Sequence, residues 1–101
     1  MGDDGHTASI FPNQLELINS DNVYDIAIHP QSGQKRITLT GQVIYYSSKV
    51  CFLITGDQKA KCIAKIWSDT EDAKLLPAAL VHPSNNDINW YLDKAAARLI
   101  L

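Results

Sequence analysis

Near the start of the chain, Asp3-Asp4-Gly5-His6-Thr7-Ala8-Ser9 sets a carboxylate and an imidazole on either side of one glycine, with two hydroxyl side chains close behind. Histidine has the unperturbed pKa nearest neutrality, so His6 is suited to take a proton from water and return it. Asp4, two residues earlier, is placed to fix the imidazole tautomer or to stabilise the imidazolium. Gly5 permits a positive φ or a close approach of a ligand to the backbone. Thr7 and Ser9 suit a helix start, whose unpaired N–H groups attract anions. The same residues also read as an ordinary helix cap, Asp-Gly-His-Thr ahead of a short helix, and spacing alone leaves both readings open.

A second place with chemical potential is Gly56-Asp57-Gln58-Lys59, which opens the clearest helical pattern in the chain. Ala60, Ile63, Ala64 and Trp67 recur at helical spacing and form its expected buried face, with Asp57 as N-cap. Lys59 falls in the first turn, where the helix dipole disfavours a cation. An anion at the same end would account for it, because a strand, a glycine turn and a helix N-terminus together hold phosphate. The alternative is an exposed lysine whose small dipole penalty is offset by Asp57. Arg36 directly precedes a strand and either reaches an acidic ligand or pairs with an acid of the fold. His29 and His82 each precede a proline, which favours extended or turn geometry, and both read as loop residues. Trp67 and Trp90 read as core.

These groups need strands and helices to carry them. Residues 9–18 are apolar on one side, with Pro12 ending or bending the first turn. Residues 22–28 alternate as a strand that stops at His29-Pro30 and the polar loop containing Gly33. Residues 37–40 are rich in β-branched side chains and read as a second strand. The nearly unbroken apolar run 50–55 fits a strand covered on both faces in a parallel sheet. Residues 75–81 read as a loop passing into an extended segment, 88–91 as a short strand, and 94–101 as a last helix capped by Asp93.

With 101 residues, 46% of them hydrophobic, the chain has room for one domain with a modest core. A net charge of −2 without a basic stripe argues against nucleic-acid binding. Cys51 and Cys62 are too few and wrongly spaced for a metal site or a disulfide framework, and read as reduced, buried thiols of a cytoplasmic protein. No apolar run reaches the length of a membrane span, and no leader-like segment opens the chain.

From Asp4 to Pro12 the sequence Asp-Gly-His-Thr-Ala-Ser-Ile-Phe-Pro resembles the active-site segment of the 6-phosphogluconolactonases, Gly-x-Gly-x-Asp-Gly-His-Thr-Ala-Ser-Leu-Phe-Pro, with Ile10 in place of leucine. Arg36-Ile37-Thr38-Leu39-Thr40, Phe52-Leu53-Ile54-Thr55-Gly56 with Lys59-Ala60, Leu76-Pro77-Ala78-Ala79 and Trp90 to Ala97 resemble later blocks in the family's order. The resemblance implies an α/β fold: a three-layer α/β/α partial domain over residues 1–101, with a mainly parallel sheet, corresponding to the C-terminal part of the lactonase and sugar-phosphate isomerase fold. Propensity alone makes Gly41-Gln42 the turn of a β-hairpin. The resemblance instead implies a crossover helix over 42–48, which parallel strands require.

For function, the resemblance implies hydrolysis of 6-phospho-D-glucono-1,5-lactone to 6-phosphogluconate in the oxidative pentose phosphate pathway, with no metal and no cofactor. His6 is then the general base, Asp4 its support, and Lys59 the phosphate contact, with Gly5, Thr7 and Arg36 completing the expected substrate-binding set. Backbone N–H groups after Gly5 are expected to stabilise the oxyanion. Met1-Gly2 coincides with the middle of the family's Gly-x-Gly turn, so an N-terminal part of the family domain is expected to be absent, along with basic residues that help bind phosphate. The loop from Pro30 to Lys35 also lacks the proline cluster usual in the family. Two alternatives follow. One is a catalytically silent folding or association module that self-associates or pairs with the absent part through an exposed sheet edge. The other is a glucosamine-6-phosphate deaminase-like protein, which the missing acid between Ser9 and Asn13 disfavours.

Overall fold

The computed structural model describes residues 1–101. A 3-10 segment over Pro12–Asn19 leads into β1 (Tyr24–Ile28) and β2 (Lys35–Leu39), followed by α1 (Gly41–Tyr45), β3 (Val50–Ile54) and a 3-10 turn over Asp57–Lys59. Then come α2 (Ala60–Trp67), a 3-10 turn over Glu71–Leu75, α3 (Pro77–Leu80), β4 (Ile88–Leu92) and α4 (Lys94–Ala97).

The four strands form two separate pairs. β1 and β2 are antiparallel, with Ile26 opposite Ile37, whereas β3 and β4 run parallel, with Phe52 opposite Trp90. The expected parallel arrangement is therefore carried by β3 and β4, while the first two strands make a hairpin. Parallel neighbours cannot be joined by a tight turn, and the connection from β3 to β4 runs through α2 and α3. The segment after Thr40 is helical rather than a hairpin turn, over Gly41–Tyr45. Gly41 is required there because a Cβ would lie 2.1 Å from the backbone oxygen of Ile18.

The core gathers Ile10 and Phe11 from the first loop, Leu17, Phe52 and Ile54 of β3, Ile63 of α2, Val81, and Ala96 of α4. One face of each strand pair turns into it. The opposite face is apolar and open: Ile26 and Ile37 on the hairpin, and Leu53 and Tyr91 on the parallel pair, are all more than half exposed.

Several local expectations are corrected. Pro12 starts a helical segment instead of ending one, because at the first helical position its missing N–H costs nothing. Pro77 does the same for α3, in a segment expected to be extended. Asp57 does not cap α2: its carboxylate pairs with Arg98 Nε. The buried face of α2 is Ala60, Cys62 and Ile63, while Trp67 is 48% exposed and rests edge-on against Trp90, which stacks on Phe52. Cys51 is exposed on the open face of β3, and only Cys62 is buried. Asp93 does cap α4, its Oδ1 accepting the Ala96 N–H at 2.7 Å, but the regular helix ends at Ala97.

Candidate active site

The Asp-Gly-His turn is anchored by three parts of the chain. The Gly5 carbonyl accepts the Ala78 N–H of α3 at 2.9 Å, and the Asp3 carbonyl accepts the Cys62 thiol of α2 at 3.0 Å. Gly2 and His6 close the turn on itself, the Gly2 N–H donating to the His6 carbonyl at 2.9 Å. Gly5 adopts φ +85° against Leu76, a conformation and a spacing that a side chain would disturb. At Gly2 a Cβ would lie 2.1 Å from the His6 ring, so the imidazole occupies the space that a side chain there would take.

Within this turn the Asp4 Oδ1 lies 2.6 Å from His6 Nδ1 and also accepts the His6 backbone N–H at 3.0 Å. Partial burial pulls the Asp4 carboxyl upward, but the backbone N–H, the ring and the charge of His6 together pull it below the usual carboxylate value. An ionised carboxylate only accepts hydrogen bonds, so His6 Nδ1 carries a proton, and in the neutral ring Nε2 is then the nitrogen with the lone pair. The Asp4 and His6 side chains are 42% and 33% exposed, open enough for water and ligand to reach them.

A cleft of about 370 Å³ joins this pair to Lys59, and is lined by Gly2, Asp3, Asp4, His6, Phe11, His29, Pro30, Gln31 and Lys59. Lys59 stands at the end of the 3-10 turn that leads into α2. Its approach is set by Gly56, whose φ of +98° turns the chain out of β3 and whose N–H donates to both Asp93 carboxylate oxygens at 3.2 Å.

Three expected site residues lie outside the lining. Gly5 is buried beneath it, and Thr7 follows His6 and pairs with Ile10 in an isolated bridge. Arg36 lies over the Phe11 ring, its guanidinium carbon 5.8 Å from the ring centre. Two backbone N–H groups near the turn are already engaged, that of His6 by Asp4 and that of Ser9 by the Thr38 hydroxyl at 2.9 Å. His29, expected to be a plain loop residue, is instead a wall of the cleft. Its proximity to His6 depends on the hairpin folding back on Phe11, a contact across 18 positions that the local His-Pro signal does not report. No group of three or more His, Cys, Asp or Glu side chains is arranged to hold a metal ion.

A strand–glycine–helix unit stands beside an acid–imidazole pair in an α/β segment. Residues 1–90 match the family described as glucosamine-6-phosphate isomerases/6-phosphogluconolactonase, and the chain belongs to that family. It is 42% identical over 100 residues to the 6-phosphogluconolactonase of Haemophilus influenzae, covering 99% of this chain and 43% of that protein. It is 40% identical over 101 residues to the human 6-phosphogluconolactonase, covering 99% and 39% respectively. Among solved structures, the devB protein superimposes with a TM-score of 0.91 at 36% identity, over 99% of this chain and 42% of the other. The 6-phosphogluconolactonase of Thermotoga maritima gives 0.75 at 35% identity, over 91% and 39%. The chain therefore spans about two fifths of the length of the relatives it matches.

Proposed function

We propose that this chain carries the proton-transfer and phosphate-binding part of a 6-phosphogluconolactonase, which hydrolyses 6-phospho-D-glucono-1,5-lactone to 6-phosphogluconate. The observation that carries the reading is the 2.6 Å contact of Asp4 with His6 in one cleft with Lys59. His6 Nε2 takes a proton from a water molecule as its oxygen attacks the lactone carbonyl carbon. The tetrahedral oxyanion collapses, the bond to the ring oxygen breaks, and the imidazolium returns its proton to that oxygen. Asp4 holds the imidazole in the required tautomer and offsets the positive charge it gains. Lys59 neutralises the phosphate and so sets the distance of the carbonyl carbon from His6. Gly5 shapes the turn, Thr7 continues it beyond His6, and Arg36 backs the Phe11 wall of the cleft in place of the direct substrate contact expected of it. The reaction needs no cofactor, and the cytoplasm is where such a sugar phosphate would be met.

The test is lactone hydrolysis by the purified chain, measured above the spontaneous background, beside a His6→Ala variant. Loss of a general base lowers the rate by about 100-fold or more. Equal rates for the two proteins would overturn the role of His6.

The open apolar faces of both strand pairs favour a second reading, in which the chain works by pairing with the remaining part of the family fold. A parallel pair with one bare face is unusual, since parallel sheets are normally covered on both sides. The exposed surface is 6203 Å², against about 5,700 Å² for an ordinary monomer of this mass. If hydrolysis appears only when a polypeptide supplying the unmatched part of a relative is added, pairing is the operative reading. Hydrolysis by the chain alone, with no gain on addition, rejects it.

A further inference from the structure

We propose that His29 is a substrate-binding residue of the cleft, presenting its Nε2–H as a hydrogen-bond donor to a hydroxyl oxygen of the sugar phosphate. The proposal rests on the lactonase reading above and assigns a residue to the sugar. The backbone N–H groups of Gln31 and Ser32 both donate to His29 Nδ1, at 3.2 and 3.1 Å. A nitrogen that accepts from two donors carries no proton, so the neutral ring holds its proton on Nε2. The same bonds turn the Nδ1 edge toward the loop, which leaves the Nε2 edge as the one available to a ligand.

Phe11 fixes where that edge stands. Its buried ring meets His29 edge-on, with centroids 5.2 Å apart and planes at 70°, and meets His6 at 4.9 Å and 49°. Both imidazoles therefore rest on one rigid aromatic ring and line one cleft. Their free edges have opposite chemistry. In its neutral form His6 donates its Nδ1–H to Asp4 and keeps a lone pair for water, whereas His29 accepts backbone N–H bonds at Nδ1 and keeps an Nε2–H for the ligand. With Lys59 on the phosphate, a donor at His29 supplies a further point of attachment. A polyhydroxylated ring needs one if its carbonyl carbon is to be held in one orientation.

The experiment is a titration of the 15N-labelled chain with 6-phosphogluconate, followed through the long-range ring correlations of the histidines. Before addition, His29 is expected to show the Nε2–H tautomer. On addition its Nε2 and Hε1 signals are expected to move with those of His6, while His82, which lines a different cleft, stays in place. His29→Phe, which keeps an aromatic ring against Phe11 but offers no donor, is expected to weaken binding about 10-fold. His29→Gln, whose amide places a donor near the Nε2 position, is expected to restore most of it. A His29 ring that stays unmoved while His6 responds, or a His29→Phe protein that binds as tightly as the original, overturns this proposal and leaves the lactonase reading standing. If no signal of the unsubstituted chain responds to the ligand, both fall together. The ring signals are read on the unsubstituted protein, so the outcome does not depend on either variant folding.

Discussion

A single oxygen, Asp4 Oδ1, serves both the backbone N–H and the ring Nδ1 of His6, at 3.0 and 2.6 Å. The carboxylate thus sets the direction of the imidazole as well as its tautomer. In Asp4→Asn the negative charge is gone, and an amide oriented to donate would impose the opposite tautomer. Lactone hydrolysis should fall by about 100- to 10,000-fold, with binding of 6-phosphogluconate changed far less. Steady-state rates beside a binding isotherm check this.

Lys59 should divide the same two measurements the other way. On the proposed reading, replacing it with alanine removes a charged contact to phosphate worth about 1.5–3 kcal/mol, so affinity for 6-phosphogluconate should drop roughly 10- to 100-fold. The affinity of Lys59→Ala for the unphosphorylated gluconate should stay as it was. Calorimetric titration with both ligands reads the difference.

Two carboxyls make stability sensitive to acid. Asp25 is held below its ordinary value of 3.8 first by the backbone N–H of Ile26, then by the Ser20 hydroxyl and the Asn22 amide, and Asp4 is lowered as described. A carboxyl lowered in the folded state contributes stability that is complete above its unfolded value and disappears as pH falls through its folded value. The urea midpoint should therefore fall as the pH drops below about 3.8, and the fall should be shallower in Asp25→Asn.

The cysteines should react in a fixed order. Burial pushes the Cys62 thiol up, partly countered by Lys65, and its S–H donates to the Asp3 carbonyl. Cys51 stands exposed on β3. Iodoacetamide should label Cys51 in the native protein and reach Cys62 only on addition of denaturant, as peptide mass mapping would show.

Asp93→Ala should destabilise the fold by about 1–2 kcal/mol, because it removes both the α4 cap and the acceptor for the Gly56 N–H. Thermal unfolding gives the size of the effect. Weaker 6-phosphogluconate binding in the same variant, measured where it is still folded, would show that the turn before Lys59 has loosened.

Much of this architecture is legible in the chain. The run from Val50 marks β3, and the helical spacing after Gly56 marks α2, because each pattern is local and strong. The Asp4–His6 pair is visible for the same reason: two residues and one glycine define it. The helix at Gly41 is not visible in propensity, where Gly-Gln between β-branched runs looks like a turn, and only the family's block order indicates it. Cys51 and Trp67 are misread as core because an apolar residue signals a tendency to be covered, whereas coverage depends on what stands opposite. His29 and the Asp93–Gly56 contact are set by tertiary folding, and nothing in their own neighbourhoods announces them.

The Asp93 clamp also has a kinetic consequence. Gly56 and Asp93 are 37 positions apart, and they meet just beyond the paired ends of β3 and β4. Closing so long a loop before any reward is collected is slow compared with forming a helix or a hairpin. The Asp4–His6 contact itself spans two positions, whereas the seat of Lys59 needs a contact across 37. Both ends of the cleft are tied down by distant residues, the turn by Ala78 and Cys62 and the Lys59 segment by Asp93, so the site is completed only by tertiary closure.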